Sequence, residues 1–495
     1  MSKTLICSCE DVTAEDIRHA VSRGYSDVES VKRFTGFGTG ICQGKGCLSA
    51  VAALLCKEKA QKPASLLPFT PRPPLYPTEL SVLGSMKVDE SQPPVGGVPE
   101  ELAVFPPTLR PEGPLPAKAK VVIIGGGIMG LALAYNLSLR GETDVVVLER
   151  GYLCAGASGR NGGGVRMQWG TSANIELAKR SIELMGRFAR DMGINVWLRQ
   201  GGYLFMARTK AVAERLERNV ALHNKHGVPT RLLTVDEARE IVPGLSLAGA
   251  QAASYNPEDG VIFPWPFLWG YANGCRKAGI KVETFTNVTG FETSDGLVRK
   301  VKTDRGDIAC DTVVLASGAW SPEIAQLVGV KLPNEPHRHE ILSTEPLKPF
   351  LSPLVSVLDS GLYFSQSMRG EIVGGMGDAK EPAGLNMGST LRFVSRFSQA
   401  LLEQMPNLGH VKVLRQWAGC YDVTPDNNPV LGRTPGLENL LQMSGFVGHG
   451  FMMAPAVAER MAGWMTTGES DELFTRFNLR RFQEGKLERE DMIIG

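Results

Sequence analysis

The spacing of apolar residues changes several times along the chain, and each change marks a boundary. Residues 2–62 read as a compact, cysteine-bearing unit with two stretches of helical spacing, at about 13–23 and about 47–59. Thr13 stands three residues before Asp16, the spacing of a capping box. From Pro63 to about Pro116 prolines recur, as in Thr70-Pro71-Arg72-Pro73-Pro74 and Gln92-Pro93-Pro94, and the apolar period is lost. That composition predicts an extended surface linker. At Lys120 the pattern becomes a strand, Val121-Val122-Ile123-Ile124, then a glycine-rich turn, a helix to about Arg140 and a second strand at 144–148. This is a βαβ unit. Beyond it, helical stretches (175–192, 210–226) mix with short alternating strands (362–366, 371–373), and no internal repeat is found. The expected class is α/β with an α+β substrate domain: a Rossmann-like dinucleotide-binding domain interrupted by a sheet-rich one.

Length and charge narrow the function. The chain has 495 residues, too many for one ordinary core. Its 53 basic and 52 acidic residues cancel and form no run of one sign, which argues against nucleic acid as a partner. No apolar stretch reaches membrane-spanning length, and Met1 to Leu5 lead straight into a cysteine segment, so a soluble, cytoplasmic protein is expected. Nine cysteines are an odd number for a disulfide framework. In a reducing compartment, clustered thiols are better read as ligands.

In Gly125-Gly126-Gly127-Ile128-Met129-Gly130 the glycines at 125, 127 and 130 fit G-x-G-x-x-G between strand and helix. The first permits the tight turn, the second lets backbone approach a pyrophosphate and the third allows close helix packing. Phosphate then sits on the helix N-terminus. Glu149, followed by Arg150, ends the second strand where a carboxylate binds the adenosine ribose.

Further motifs follow in one order: residues 156–166 (Gly-Ala-Ser-Gly-Arg-Asn-Gly-Gly-Gly-Val-Arg), Leu315-Ala316-Ser317-Gly318-Ala319-Trp320, Trp417-Ala418-Gly419, Thr424-Pro425-Asp426 and Gly445-Phe446-Val447-Gly448-His449-Gly450-Phe451. Over about 120–468 the sequence resembles the D-amino-acid oxidase and sarcosine oxidase group of flavoenzymes, including glycine oxidases and β subunits of multi-subunit sarcosine oxidases. The resemblance implies FAD as cofactor. It implies that Ser158, Arg160, Asn161 and Gly162 lie in the loop over the flavin and that Gly318 and Trp320 sit beside the adenosine part. Gly448, His449, Gly450, Phe451 and Met452 would open a helix at about 451–465 whose unpaired N–H groups favour reduced flavin. The corresponding division is 1–62, 63–118 (linker), 119–470 (cofactor part 119–196, 254–332 and 415–470; substrate part 197–253 and 333–414) and a tail at 471–495.

Two positions depart from the family pattern. Gly419 stands where monomeric sarcosine oxidases carry the cysteine that bonds FAD, with Cys420 one place off, so non-covalent FAD is expected. Met452 stands where they carry a substrate-binding lysine, so the carboxylate clamp is incomplete. Two readings of Arg166 stay open: a forked donor to the substrate, or a residue bound within its own loop. His449 is read either as polarising the flavin and shuttling a proton or as satisfied by backbone.

Cys7-Ser8-Cys9 and Cys42-Gln43-Gly44-Lys45-Gly46-Cys47 supply four thiolates as C-x-C and C-x4-C with glycine-bearing loops, as [2Fe-2S] ligation requires. The arrangement resembles bacterioferritin-associated ferredoxin domains, over about 3–57; zinc is the competing reading. Cys56, Cys154, Cys275, Cys310 and Cys420 are expected to be small core residues. His337-Arg338-His339 has no third ligand at useful spacing and is not read as a metal site.

The expected enzyme is an FAD-dependent dehydrogenase acting on the C–N bond of an amino acid or secondary amine (glycine, sarcosine, D-amino acid, proline or opine-like). Hydride would pass to the flavin, and electrons would leave through [2Fe-2S] to an external acceptor, with partner subunits possible. The alternatives are a cyanide-forming glycine dehydrogenase-type subunit and a non-catalytic relay subunit.

Overall fold

A computed structural model describes residues 3–59, 62, 66–94, 111 and 113–494. The rest of the expected linker, at 63–65, 95–110 and 112, lies outside the described residues. In the N-terminal unit the helix Ala14–Ser22 starts at the expected capping box, with Asp16 Oδ2 accepting the Thr13 N–H at 2.8 Å. Leu48–Lys59 is the second expected helix. A third, Val28–Thr35, was not legible from apolar spacing. Its inner face carries Glu29 and Lys32, which are buried as an ion-paired set with Arg33, at 3.6 Å from Glu29 to Lys32 and 2.8 Å to Arg33. Paired charges in a core break the apolar period.

The segment read as an extended linker departs from that reading in its middle. Thr78–Glu79 pairs with the strand Lys412–Val423, and the short helix Leu80–Gly84 packs on Leu391–Gln404. Leu80 and Leu83 supply the burial. Around Thr70 the chain is pinned to the N-terminal unit by the Thr70 N–H, which donates to Glu29 at 3.1 Å. The N-terminal unit also meets the larger body directly: Tyr25 and Phe34 pack against Trp269 at 5.0 and 5.5 Å, and Glu10 pairs with Arg369.

The cofactor domain is built on Lys281–Glu283, Val145–Leu148, Lys118–Ile124 and Ile308–Leu315 in parallel order, extended by antiparallel strands Leu297–Thr303 and Val288–Ser294. Leu437–Ser444 joins Ile308–Leu315 in parallel. The continuous valine and isoleucine runs reflect strands covered on both faces. Helices Ile128–Leu139, Ser172–Met192 and Gly450–Thr467 pack together over this sheet.

A second sheet has nine strands, and its two longest, Glu335–Pro346 and Lys412–Val423, pair along nearly their whole length. Lys412–Val423 runs across the boundary expected at 415, and Ala252–Asn256 across that at 254, so both belong to this sheet. Glu340 ties the sheet to the helix Leu391–Gln404, accepting the Thr390 N–H at 2.5 Å and its hydroxyl at 2.7 Å.

Burial pushes the Glu340 carboxyl up to about 7 despite these two donors. An unfolded glutamate titrates near about 4.3. The folded state therefore holds the proton more tightly, and the resulting stabilisation is full below the unfolded value and lost as pH rises through about 7. We predict that Glu340→Gln, neutral throughout, flattens the decline of Tm between about pH 5 and about pH 8. Identical pH slopes for the two proteins would contradict the assignment.

Candidate active site

The first wall of the site is set by backbone crowding. At Gly125, φ is +121° and a Cβ would stand 2.3 Å from the Ala316 carbonyl oxygen; at Gly130 it would stand 2.0 Å from the Gly125 oxygen. Neither position admits a side chain. Gly127 differs, because a Cβ there meets only Ser158 Oγ, at 3.1 Å. Ser158 also accepts the Ile128 N–H at 3.0 Å, at the head of Ile128–Leu139. Glu149 accepts the Gly126 N–H at 2.9 Å and the Gly151 N–H at 2.8 Å, and burial raises its carboxyl above the ordinary range.

These groups open onto a cleft of about 390 Å³, lined by Gly125, Gly127, Ile128, Met129, Glu149 and Arg150 at one end. Ser158, Asn161, Gly318 and Trp320 continue it, and Gly448, Gly450 and Phe451 close it. Arg150 lies over the Trp320 ring at 5.1 Å. Gly130, the third glycine of the motif, lies behind the lining, where a Cβ would also stand 3.2 Å from Ile123, the close packing expected of it. A Cβ-free approach at Gly127, a carboxylate at Glu149 and helix starts at Ile128 and Gly450 fit the phosphates, ribose and flavin ring of FAD. Cys420 also lines the cleft, with its thiol 3.8 Å from the Asn386 carbonyl oxygen.

The closing turn is held from below. Asp422 is buried and accepts the N–H groups of Gly445 at 2.6 Å and Phe446 at 3.1 Å. At Gly448, φ is +76° and a Cβ would stand 2.3 Å from the Tyr421 ring. Val447 also has positive φ, +48°, in the strained region for a β-branched residue.

Arg160, Gly162, Gly419, His449 and Met452 line a second cavity of about 80 Å³, which shares Asn161, Gly448 and Phe451 with the cleft. The aromatic part of its wall was not found by sequence reasoning: Tyr203, His339, Tyr363 and Tyr421. They come from four strands of the nine-stranded sheet, so no local spacing announced them. His339 stacks on Tyr421 at 4.6 Å and shares a 3.0 Å hydrogen bond with the Tyr363 hydroxyl, while burial holds its imidazole down to about 4. The sequence signal was the alternation at His337 and His339, which here serves an aromatic wall.

His449 and Arg166 do come together. The His449 Nδ1 lies 2.7 Å from the Val447 carbonyl, so it carries the proton and donates; Nε2 is left to accept from Arg166 Nη2 at 3.3 Å. Burial and the Arg166 charge hold this imidazole well below its usual range. Arg166 itself is only 1% exposed, packs over Trp169 at 3.9 Å and donates to the Gln168 and Met492 carbonyls. Its guanidinium is thus bonded inside the protein, to residues at both 168 and 492. Arg160 is the guanidinium on the cavity wall, donating to Ala155 at 2.7 Å and Ala418 at 3.0 Å.

In the N-terminal unit the four thiols act on one another: Cys9 interacts with Cys42 and with Cys7, and Cys47 with Cys7 and with Cys42, the hydrogen-bonded pairs being Cys9 with Cys42 and Cys7 with Cys47. Burial opposes ionisation of Cys42, yet the N–H groups of Gly46, Gly44 and Lys45 and the Cys9 thiol hold it below the ordinary thiol range. Such donors suit sulfur ligands of an iron–sulfur cluster. Among the described residues, however, no three metal-ligating side chains are gathered as a metal site. No disulfide joins any two cysteines among the described residues; Cys154, Cys275, Cys310 and Cys420 are buried as expected, whereas Cys56 is only partly buried. A cavity of about 570 Å³ separates this unit from the cleft: Thr39 and Gln43 line one side, and Asn161, which also lines the cleft, another. No described helix is long and apolar enough to cross a membrane.

The glycine geometry separates a binding role from a structural one. We predict that Gly127→Val folds but is purified without flavin, whereas Gly130→Val fails to fold. Stoichiometric FAD in Gly127→Val, measured by absorbance after acid release, would contradict the placement.

Comparison with known proteins agrees with this geometry. The family described as FAD dependent oxidoreductase matches residues 120–464, and the sarcosine oxidase A3 domain matches 1–87. Sarcosine oxidase subunit beta of Rhizobium meliloti is 32% identical over 372 residues, covering 74% of this chain and 89% of that protein. That of Rhodobacter capsulatus is 31% identical over 380 residues, covering 76% and 91%. Among solved structures, L-proline dehydrogenase from P. horikoshii superposes with a TM-score of 0.72 at 37% identity, covering 76% of this chain and 100% of that one. Glycine oxidase from Geobacillus kaustophilus, at 24% identity, shares the fold with a TM-score of 0.68 over 74% of this chain and 99% of its own. Glycine turn, cleft and matched span together place the chain in the FAD dependent oxidoreductase family.

Proposed function

We propose that the chain oxidises a C–N bond of a small amino acid or secondary amine with non-covalent FAD, and that Cys7, Cys9, Cys42 and Cys47 hold a [2Fe-2S] cluster that carries electrons to an external acceptor. The observation that carries the reading is the pair of adjoining cavities, a cleft at the glycine turn and a small aromatic chamber that share Ala157, Asn161, Gly448 and Phe451. Likeness to sarcosine oxidase β subunits and to L-proline dehydrogenase supports a C–N bond as the target and partner subunits as the setting. Bound FAD supplies two-electron acceptance.

The chain's own residues supply placement. Tyr363 and His339, bonded to one another, give the chamber neutral polar atoms, and burial holds His339 unprotonated at neutral pH. A protonated amine gains nothing from a charged neighbour there, which favours the neutral nitrogen that oxidation requires. Met452 leaves Arg160 as the cation on the wall, so a substrate carboxylate is directed toward the Arg160 side. The start of Gly450–Thr467 directs unpaired N–H groups at the cleft and favours negative charge there. His449, with its proton fixed on Nδ1, is oriented by Arg166.

The relay reading rests on the two thiol pairs, the amides around Cys42 and the cavity whose walls join Asn161 to the cysteine loop. Replacing Cys42 and Cys47 by serine in the full chain is expected to remove protein-bound iron while FAD stays. Anaerobic reduction by substrate should persist, and turnover with the physiological acceptor should fall at least tenfold, taken as roughly 1.4 kcal/mol in the limiting step. Unchanged turnover, or zinc instead of iron in anaerobically prepared protein, would defeat the relay. Acid precipitation should also release the flavin; flavin retained on the polypeptide would point to Cys420.

A further inference from the structure

The stretch 488–494 reaches the small chamber, where no spacing or motif in the chain predicts it. Glu490 is 0% exposed, and its carboxylate accepts four hydrogen bonds: from the N–H groups of Gly170 at 2.7 Å and Met492 at 2.9 Å, from the Thr171 hydroxyl at 2.9 Å and from Asn174 at 2.9 Å. Its own N–H donates to the Asp426 carbonyl at 3.0 Å, and its carbonyl accepts from the Asn427 side chain at 3.0 Å. The stretch is therefore fastened on both sides. Met492 is fully buried, and its carbonyl takes a donor of Arg166, the residue that contacts His449. Two residues on, Ile494 is 6% exposed and lines the chamber, packing in one apolar cluster with Tyr203 and Leu354.

We propose that Ile494 is a specificity-determining residue that limits the size of the substrate's apolar group. Much of the remaining wall cannot give way. Tyr363 and His339 are bonded to each other, and a Cβ at Gly163, Gly164 or Gly448 would meet protein atoms at 2.1, 2.6 and 2.3 Å. Ile494 is an aliphatic side chain on irregular backbone held by the Glu490 anchor, so its outer carbons can be removed without disturbing a strand. In an apolar pocket each methylene of fit is worth roughly 10–200-fold in discrimination. The inference rests on the chamber being the substrate site of the proposed C–N oxidation.

The test uses the full chain with FAD bound and two readouts. In Ile494→Ala, the ratio of kcat/KM for a long-chain over a short-chain amino acid is expected to rise about tenfold or more. Ile494→Phe should move the ratio the other way. Independently of turnover, straight-chain carboxylates from acetate to hexanoate are titrated against the flavin absorbance, and the Ala variant is expected to tighten the longer acids selectively. If Ile494→Ala loses FAD, Ile494→Val provides the same comparison with a smaller expected shift. Unchanged relative affinities across the series in a variant that retains FAD and Tm would overturn the proposal. Failure of every amine to reduce the unaltered protein, with the carboxylate shift still present, would count against the C–N chemistry and leave the Ile494 wall standing.

Discussion

The site depends first on one contact between backbones. Ile124 is level with Leu148 on one side and Leu315 on the other, so three parallel strands end together. Just beyond, Gly125 comes so near Ala316 that a Cβ has no room, and the Ser317 hydroxyl donates to the Ile124 carbonyl at 2.9 Å. The crevice outside the carboxyl ends of these strands is where a dinucleotide binds in such folds. Were Gly125 to carry a side chain, the turn would lift, and with it the start of Ile128–Leu139 and the approach to Glu149.

A second constraint joins the chamber to that crevice. The register of Glu335–Pro346 on Lys412–Val423 sets His339 opposite Gly419 and Arg338 opposite Cys420. Alternation then places His339 and Gly419 on the chamber wall and Cys420 on the cleft, while Arg338 turns away to pair with Glu381 at 3.0 Å. Asp422, two residues further on, fastens the Gly445 and Phe446 turn from which the last cofactor-facing helix starts. One strand thus carries the chamber wall, the cleft wall and the anchor of the closing turn.

Local chemistry was legible in the sequence. The capping box at Thr13, the glycine turn, the βαβ unit and the helices near 172–192 and 450–467 each announce themselves within a few residues. What escaped depends on distant partners. Val28–Thr35 hides its core face behind the Glu29, Lys32 and Arg33 ion pairs. Thr78 to Gly84 folds because it finds an open strand edge and the helix Leu391–Gln404. The aromatic chamber is assembled from four strands, and Arg166 is drawn inward by a carbonyl more than three hundred positions away.

The central claim is that the chamber presents the carbon beside a nitrogen to the cofactor. Its most direct measurement is anaerobic rapid mixing of the holoenzyme with an amino acid or N-methylated amine, comparing protium with deuterium on that carbon while following loss of oxidised-flavin absorbance. The account predicts that the flavin bleaches in one substrate-dependent phase and that deuterium slows this phase several-fold. Equal rates for the two isotopes, with bleaching limited by the chemical step, would contradict it, as would a flavin that dithionite reduces but no amine does.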